Sequence, residues 1–524
     1  MKTIAESAND FADLRTTDKG NCIYVDKTDY FHRLITAPGK NLFFIARPRR
    51  FGKSLMITTF KYIFQGRREL FKGLKIDRTD YDWKVHPVIH IDFGSCAAAT
   101  YDSFVNDLPE VMRVSLEESG YAYDGAKSPA MNFMNAIIWH YSKGTPCVVL
   151  IDEYDDPVAR ALANPAEAEK VRNELVSIYG QIKGKTHMIR FLMITGVSKF
   201  TKMSVFSAFS NLSDISPFSE YAAMLGYTDE ELDAYFGEHM AAHAKVMGLD
   251  DVAYRAELKR WYNGYRFSTK NPVTVYNPVS IGLTLANPDD EFHGTWTQTG
   301  RASTLMNYIK REGAVAIELD GMVSAVEGDF DMSDLNSLNP IGMLYQTGYL
   351  TIANYSNGLY QLCVPDEEVK RDVASLLAGA YAGKDAQWSA SLGGKLRAGR
   401  WSEFFDGLKA LYAKLPYGSH EQGERKNEFS YQRPLCALLA VQGFRYDPEV
   451  TQTVGRSDLV AEHPCGIYIF ELKVDSTADE ALEQIKRKDY AAPYRARKLP
   501  IWAIGLSFDS KTRQLTGARE ERLG

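Results

Sequence analysis

Cysteine is scarce in this chain and forms no pattern. Its six residues, Cys22, Cys96, Cys147, Cys363, Cys436 and Cys465, are scattered through 524 positions. There is no CxxC pair and no Cys/His cluster at zinc spacing, which argues for reduced, buried thiols rather than a zinc site or a disulfide framework. No apolar run reaches the ~18 residues a membrane helix needs. The N-terminal MKTIAESANDFADLRTTDKG has no apolar core of a signal peptide. The expectation is a cytoplasmic protein with no membrane partner. Net positive charge is missing too. With 61 Lys and Arg against 67 Asp and Glu, the formal charge is −6 and the isoelectric point is near 6.0. No overall field draws the protein onto nucleic acid, so any such contact needs a local patch. Internal repeats and low-complexity tracts are also absent. What remains is an ordinary globular mix, 45% hydrophobic and 12% aromatic, long enough for about three domains.

The first 220 residues alternate short, nearly continuous apolar runs with helical stretches. Candidate strands are Asn41–Ala46, Val88–Phe93, Cys147–Glu153 and Arg190–Gly196. Runs of this kind suit parallel strands buried on both faces, and the spacings leave room for crossover helices. The pattern predicts an α/β domain over 1–220: a doubly wound parallel sheet with helices on both faces. From 221 to 382 the reading is a mostly helical, lid-like or winged-helix-like region. Its helices are Thr228–Val246 and Val252–Tyr262, and it ends in a hairpin around Ser356-Asn357-Gly358. Residues 383–524 read as linker helices followed by a compact α/β module in the order helix, strand, strand, helix, strand. Loose joints are expected near Leu392-Gly393-Gly394 and Tyr417–Gly423.

Arg47–Ser54 reads RPRRFGKS and stands between the strand NLFFIA and the helical LMITTFKYIF. Strand, tight loop ending in Gly-Lys-Ser, then helix is the context of a phosphate-binding loop, whose free N–H groups face an anion. In that reading Arg47, Pro48, Arg49, Arg50, Phe51 and Gly52 form the cradle for ATP. Lys53 reaches the β- and γ-phosphates, and the Ser54 hydroxyl binds Mg²⁺. The usual GxxxxGK[ST] pattern has Gly where Arg47 stands. A capped helix start is the plain alternative, and the three arginines are either cradle charge or solvated. About a hundred residues on, VVLIDE ends an apolar strand in Asp152-Glu153. Asp152 would hold the magnesium and Glu153 would polarise the attacking water. The next strand ends in TGVS, offering Thr195 or Ser198 to sense the γ-phosphate.

Near the C-terminus, Asp458 in GRSDLV precedes Glu471-Leu472-Lys473 in IYIFELKV by thirteen residues. Residues two apart on a strand share a face, so Glu471 and Lys473 project together. Asp458 on the adjacent strand can join them. Two carboxylates on a hard cation with a lysine beside them suit metal-assisted phosphodiester hydrolysis; a cross-strand ion pair is the plain alternative. Gln484 on the following helix and Glu428, as a third carboxylate, extend the set. From residue 421 onward, sixteen Lys/Arg balance sixteen Asp/Glu. The bases Lys486, Arg487, Lys488, Arg495, Arg497 and Lys498 nevertheless bunch together, either as a phosphate-binding patch for DNA or RNA or as a solvated face.

The chain resembles a bacterial family that joins an AAA-ATPase-like P-loop domain to a PD-(D/E)xK nuclease-superfamily domain. The resemblance rests on IYVDKTDYF (Ile23–Phe31), RPRRFGKSL, VLIDEYDDPV, TGVSKF, YNGYRF (Tyr262–Phe267), VYNPVS (Val275–Ser280), LYQTGYLTI (Leu344–Ile352), GRSDLV and IFELK. It implies an additional-strand P-loop core, a helical middle region and a restriction-endonuclease-like module. The variant without the first glycine is usual in that family. Two functions compete: an ATPase whose nucleotide cycle controls a Mg²⁺-dependent nuclease, and a nucleotide-switched signalling or binding protein with a silent nuclease fold. A homo-oligomer fits either.

Overall fold

The computed structural model describes residues 1–5, 9–16, 22–199, 211–287, 289, 291–294, 322–330, 335, 339–382, 386–413, 428–441, 444–452 and 455–524. The chain divides into two compact units, Met1–His293 with Ser324–Asp366, and Gly294–Val323 with Glu367–Gly524.

The first unit is built on a five-stranded sheet. Its strands are β1 (Leu42–Ala46), β2 (Val88–Asp92), β3 (Cys147–Asp152), β4 (Ile189–Gly196) and β5 (Ser213–Asp214), in the order β2-β3-β4-β1-β5. Every neighbouring pair is parallel. All four long runs predicted from the sequence are present, with ends shifted by a residue. β4 lies between the strand that leads into the phosphate loop and the strand that ends in Asp152, which is the additional-strand order. Every residue of β3 is buried, so helices cover it on both faces. On one face Phe60 and Phe64 of the helix Lys53–Phe64 pack on Phe191, at ring-centroid distances of 5.1 and 5.0 Å. On β1, Phe44 meets Tyr154 edge to face at 5.4 Å.

Beyond the sheet, the helix Asp229–Val246 starts in a Thr228/Glu231 capping box and Asp251–Tyr262 follows. Short strands β6 (Asn263–Tyr265) and β7 (Val275–Tyr276) pair with each other. A small sheet of β8 (Val323–Ala325), β9 (Thr351–Ser356) and β10 (Leu359–Cys363) includes the predicted hairpin. Asn357 and Gly358, at φ +52° and +80°, form a turn that needs left-handed residues at both central positions.

The second unit carries the sheet β11 (Arg445–Gln452), β12 (Gly455–His463), β13 (Gly466–Val474), β14 (Ile501–Phe508) and β15 (Leu515–Arg522), paired in chain order. Only β13 and β14 run parallel, joined through the helix Ala478–Arg487. The predicted order of elements omits β11 and β15. Both are edge strands whose sequences, RYDPEVTQ and LTGAREER, carry the proline and charge that guard sheet edges and mask the β pattern.

A second expectation is corrected at Leu392-Gly393-Gly394. It is no joint, but lies inside the helix Ala386–Arg397. Leu392 and Leu396 are buried, and Leu392 packs so closely on Gly407 of the helix Trp401–Tyr412 that a Cβ there would collide with it. Packing outweighs the low helix propensity of two glycines. The other expected joint, Tyr417–Gly423, lies outside the described residues.

Gly505 on β14 pairs with Glu471 on β13. A Cβ at Gly505 would collide with the Ala478 carbonyl oxygen and stand 3.1 Å from the Ala481 methyl. Gly505→Ala should push the helix Ala478–Arg487 off the sheet and cost about 1–3 kcal/mol, the range for overpacking. Urea unfolding followed in the second unit measures it; an unchanged midpoint would contradict the close approach.

Candidate functional site

The phosphate loop leaves β1 and turns into the helix Lys53–Phe64 at Gly52, which is left-handed at φ +84° with nothing within 4 Å of where a Cβ would stand. As the cap residue Gly52 has no side chain to satisfy the first turn, so the free N–H groups of a twelve-residue helix open onto an uncrowded loop. Lys53 is buried and donates from Nζ to the carbonyls of Pro48 (2.9 Å) and Arg47 (3.1 Å). Burial lowers its pKa, while Glu153, Asp152 and Asp155 act to raise it.

The three arginines differ. Arg47 is buried, donates to the carbonyls of Ala46, Ser216 and Tyr221, and lies 4.1 Å over the Phe267 ring. Its guanidinium is an anchor. Arg49 reaches Asp156 at 3.3 Å. Arg50 takes a left-handed backbone, φ +68°. Phe51 is buried edge-on against Tyr265 (4.8 Å) and Phe267 (5.3 Å). The loop therefore offers backbone, Lys53 and Arg49 to an anion, while Arg47 and Phe51 hold it in place.

Asp152 ends β3, is buried, and accepts a hydrogen bond from Ser54. Burial raises its pKa to about 6, and Glu153 adds to the rise. Glu153 follows in the left-handed region, φ +48°, with its N–H on the Asp152 carboxylate at 2.9 Å. A non-glycine residue held there is strained, as is common at functional sites. The Thr195 hydroxyl, at the end of β4, is fully buried without a hydrogen-bond partner among the described residues. Ser198 is instead fixed by its backbone: its N–H donates to Asp155 at 2.6 Å and its carbonyl accepts from Tyr154 at 2.8 Å.

Sequence reasoning passed over the rest of the acidic run. Asp155 is buried and also accepts from Val197 N–H. Gly196 is required there, since a Cβ would collide with Asp155. Asp156 binds Arg160 at 2.6 Å as well as Arg49. Asp92, in register with Asp152 across β2 and β3, was missed because one acid at a strand end has no signature. The five-residue run EYDDP was the available signal for Asp155 and Asp156.

In the second unit, four expected residues come together. The Leu472 N–H donates to Asp458 Oδ2 at 2.6 Å, and the Asp458 N–H approaches Glu471 Oε2 at 3.4 Å. Lys473 Nζ lies 3.3 Å from Glu471 Oε1, which also accepts from the Gln484 amide. The Glu471 side chain is 1% exposed, and burial, reinforced by Asp458, raises its pKa to about 7. Two neighbours escaped the sequence reading: Gln432 donates to the Asp458 carbonyl, and the Tyr490 hydroxyl bonds Gln484. Glu428 opens the helix Glu428–Val441, but its side chain lies outside the described residues.

Among the described residues no three His, Cys, Asp or Glu side chains form a metal cluster. A cation in either unit would rest on one or two carboxylates, which suits Mg²⁺ with its retained waters and substrate oxygens. The residues fit that ion: Asp152 with Ser54 in one unit, Asp458 with Glu471 in the other, each including a buried oxygen donor short of positive charge. The open loop at Gly52 and the orphan Thr195 hydroxyl fit a polyphosphate. Three of the six bases in the cluster are ion-paired. Lys486 pairs with Glu483 and Glu521, Arg495 with Asp489, and Arg497 with Glu462.

The sheet order, the loop and the acid strand define a P-loop nucleotide-binding fold, and the second unit a nuclease-like α/β module. Residues 7–206 match the family described as Predicted AAA-ATPase, and residues 426–517 match the PD-(D/E)XK nuclease superfamily. The chain is 32% identical over 526 residues, covering 98% of both, to a protein of Azotobacter chroococcum mcd 1 called "Uncharacterized protein in vnfD 5'region". It belongs to the family of AAA-ATPase-like proteins with a C-terminal PD-(D/E)XK domain. No solved structure matches it. Among the described residues no helix is long and apolar enough to cross a membrane.

The raised Glu471 pKa has a defined pH consequence. A carboxyl raised from 4.5 to about 7 contributes stability that is fully present below 4.5 and lost as pH rises through about 7. A cation binds the ionised form, so Mg²⁺ should raise the melting temperature more at pH 8 than at pH 6. Measured in Asp152→Asn protein, which removes the other candidate cation ligand, the effect should vanish in Glu471→Gln. Equal Mg²⁺ shifts at both pH values would contradict the assignment.

Proposed function

We propose that this protein is an ATPase whose nucleotide cycle controls a Mg²⁺-dependent nuclease acting on nucleic acid. The observation that carries the reading is the convergence of Asp458, Glu471, Lys473 and Gln484 in a chain that also sets Gly52-Lys53-Ser54 beside Asp152. In the first unit, Lys53 neutralises the β- and γ-phosphates, and Ser54 and Asp152 hold the cation. Glu153 takes the proton of the attacking water, and Thr195 donates to the terminal phosphate. In the second, Asp458 and Glu471 hold a cation that polarises the scissile phosphate, Lys473 offsets the charge that builds there, and Gln484 orients Glu471. The setting is cytoplasmic, and a homo-oligomer is compatible with it.

One observation favours a second reading. Ion pairs at Lys486, Arg495 and Arg497 engage three of the six clustered bases and reduce the charge available to hold a phosphate backbone. That suits a nucleotide-switched binding protein whose nuclease fold is silent.

Plasmid and RNA degradation with Mg²⁺ or Mn²⁺, with and without ATP, separates the two. Lys53→Ala should abolish Mg-ATP binding. Asp152→Asn and Glu153→Gln should keep more binding and lose hydrolysis, by about 10²–10⁴-fold for a general base. Asp458→Ala and Glu471→Ala should remove cleavage and leave ATP binding intact. Lys473→Ala should slow cleavage by about 10²-fold or more with little change in nucleic-acid affinity. Cleavage retained equally in all three nuclease-site variants would remove the nuclease assignment, and a wild type that cleaves nothing would favour the second reading.

A further inference from the structure

Arg47 and Arg49 of the loop are not equivalent. Arg47 spends its guanidinium on three backbone carbonyls and the Phe267 ring. Arg49 is held by a carboxylate, Asp156, across 3.3 Å, with 27% of its side chain exposed. Glu153 and Asp155 are its strongest attractive charges, and the same two acids act on Lys53. The arginine and the lysine therefore share one charge environment.

Asp156 does not depend on Arg49. Its side chain is 2% exposed, and Arg160 Nε approaches it at 2.6 Å, much closer than Arg49. A buried carboxylate that loses its only partner is costly, but one that keeps a close guanidinium is not. Arg49 can leave without stranding Asp156. Arg160 in turn donates to the carbonyls of Gly94 (2.7 Å) and Cys96 (3.2 Å). Gly94 stands against the Asp92 and Glu153 carboxylates, 3.0 and 3.3 Å from where its Cβ would lie. The chain of contacts runs from the phosphate loop through Asp156 and Arg160 to the segment beside Glu153.

We propose that Arg49 is a terminal-phosphate sensor supplied by the chain itself: it moves from Asp156 to the γ-phosphoryl group of a bound nucleoside triphosphate, and Arg160 carries the change to the Gly94 segment. This rests on the nucleotide reading above. A planar guanidinium suits the exchange, since carboxylate and phosphate present the same bidentate pattern of oxygens. In this arrangement the arginine that recognises the terminal phosphate comes from the same chain.

The test is binding, not turnover. Full-length protein is titrated with Mg²⁺ and either ADP or a non-hydrolysable β,γ-imido triphosphate. Arg49→Ala should weaken the triphosphate about tenfold or more, the worth of a charge-assisted hydrogen bond, and leave ADP within about twofold. Arg49→Lys, which keeps the charge but loses the fork, should fall between, and it carries the test if the alanine variant folds poorly. Equal weakening of both nucleotides, or of neither, would overturn the sensor while leaving nucleotide binding in place. A wild type that binds neither nucleotide would overturn the nucleotide reading and the sensor with it.

Discussion

The phosphate loop of this chain is held from outside. The position at which P-loops usually carry their first glycine is Arg47, and its side chain turns inward to the carbonyls of Ser216 and Tyr221 and lies over Phe267. Four residues on, Phe51 is wedged between Tyr265 and Phe267. A third tie comes from Asn277, which donates to the Arg49 carbonyl at 3.4 Å while capping the helix Pro278–Ala286. Conformational freedom that a glycine would supply is replaced by tertiary contacts that fix one geometry. The cost is that the loop cannot be built by the sheet alone.

That dependence explains why the helical middle of the chain carries sharp motifs. YNGYRF supplies the two rings behind Phe51 and the ring under Arg47. Its Gly264, at φ +143°, lets the backbone lie against the Pro365 carbonyl, where a Cβ would collide. Arg266 ties the same segment to the carbonyls of Ser268, Thr269 and Ala353. LYQTGYLTI contributes Gln346, which accepts the Lys199 N–H at 2.9 Å and so grips the turn after β4. Asp155 grips that turn from the other side. The orphan hydroxyl of Thr195 sits between a loop and a turn that are both fixed by distant parts of the first unit.

How much of this was legible follows from what each residue is doing. The parallel strands were readable because continuous apolar runs report burial on both faces. The placement of Gly52, Lys53 and Ser54 at a strand–loop–helix junction and of Asp152 at a strand end was readable because it depends on local order. Asp458, Glu471, Lys473 and Gln484 were readable because strand period and a following helix fix their faces. The inward turn of Arg47 was not, since a guanidinium's choice between an anion and three carbonyls is decided by residues 216, 221 and 267. The helix through Gly393-Gly394 was hidden for a similar reason: tertiary packing, including the burial of Leu392 and Leu396 and the fit of Leu392 on Gly407, offsets its two glycines. β11 and β15 were hidden because edge strands are selected to look unlike strands.

The two units share an electrostatic condition. In each, a carboxylate essential to the arrangement is buried where the nearby lysine does not fully compensate it, and its pKa rises: Asp152 to about 6 and Glu471 to about 7. Lys53 could relieve Asp152 only by giving up the loop carbonyls it binds at 2.9 and 3.1 Å. Lys473 is divided between Glu471 and the Leu472 carbonyl. Each site therefore has oxygen donors in place and is short of positive charge. The proposed Mg²⁺ would answer that shortage better than a proton, because a divalent cation can bind several oxygens at once. In the proposed reading a proton and a divalent cation would compete for each carboxylate, and the proton loses its hold as pH rises through about 6 at Asp152 and about 7 at Glu471.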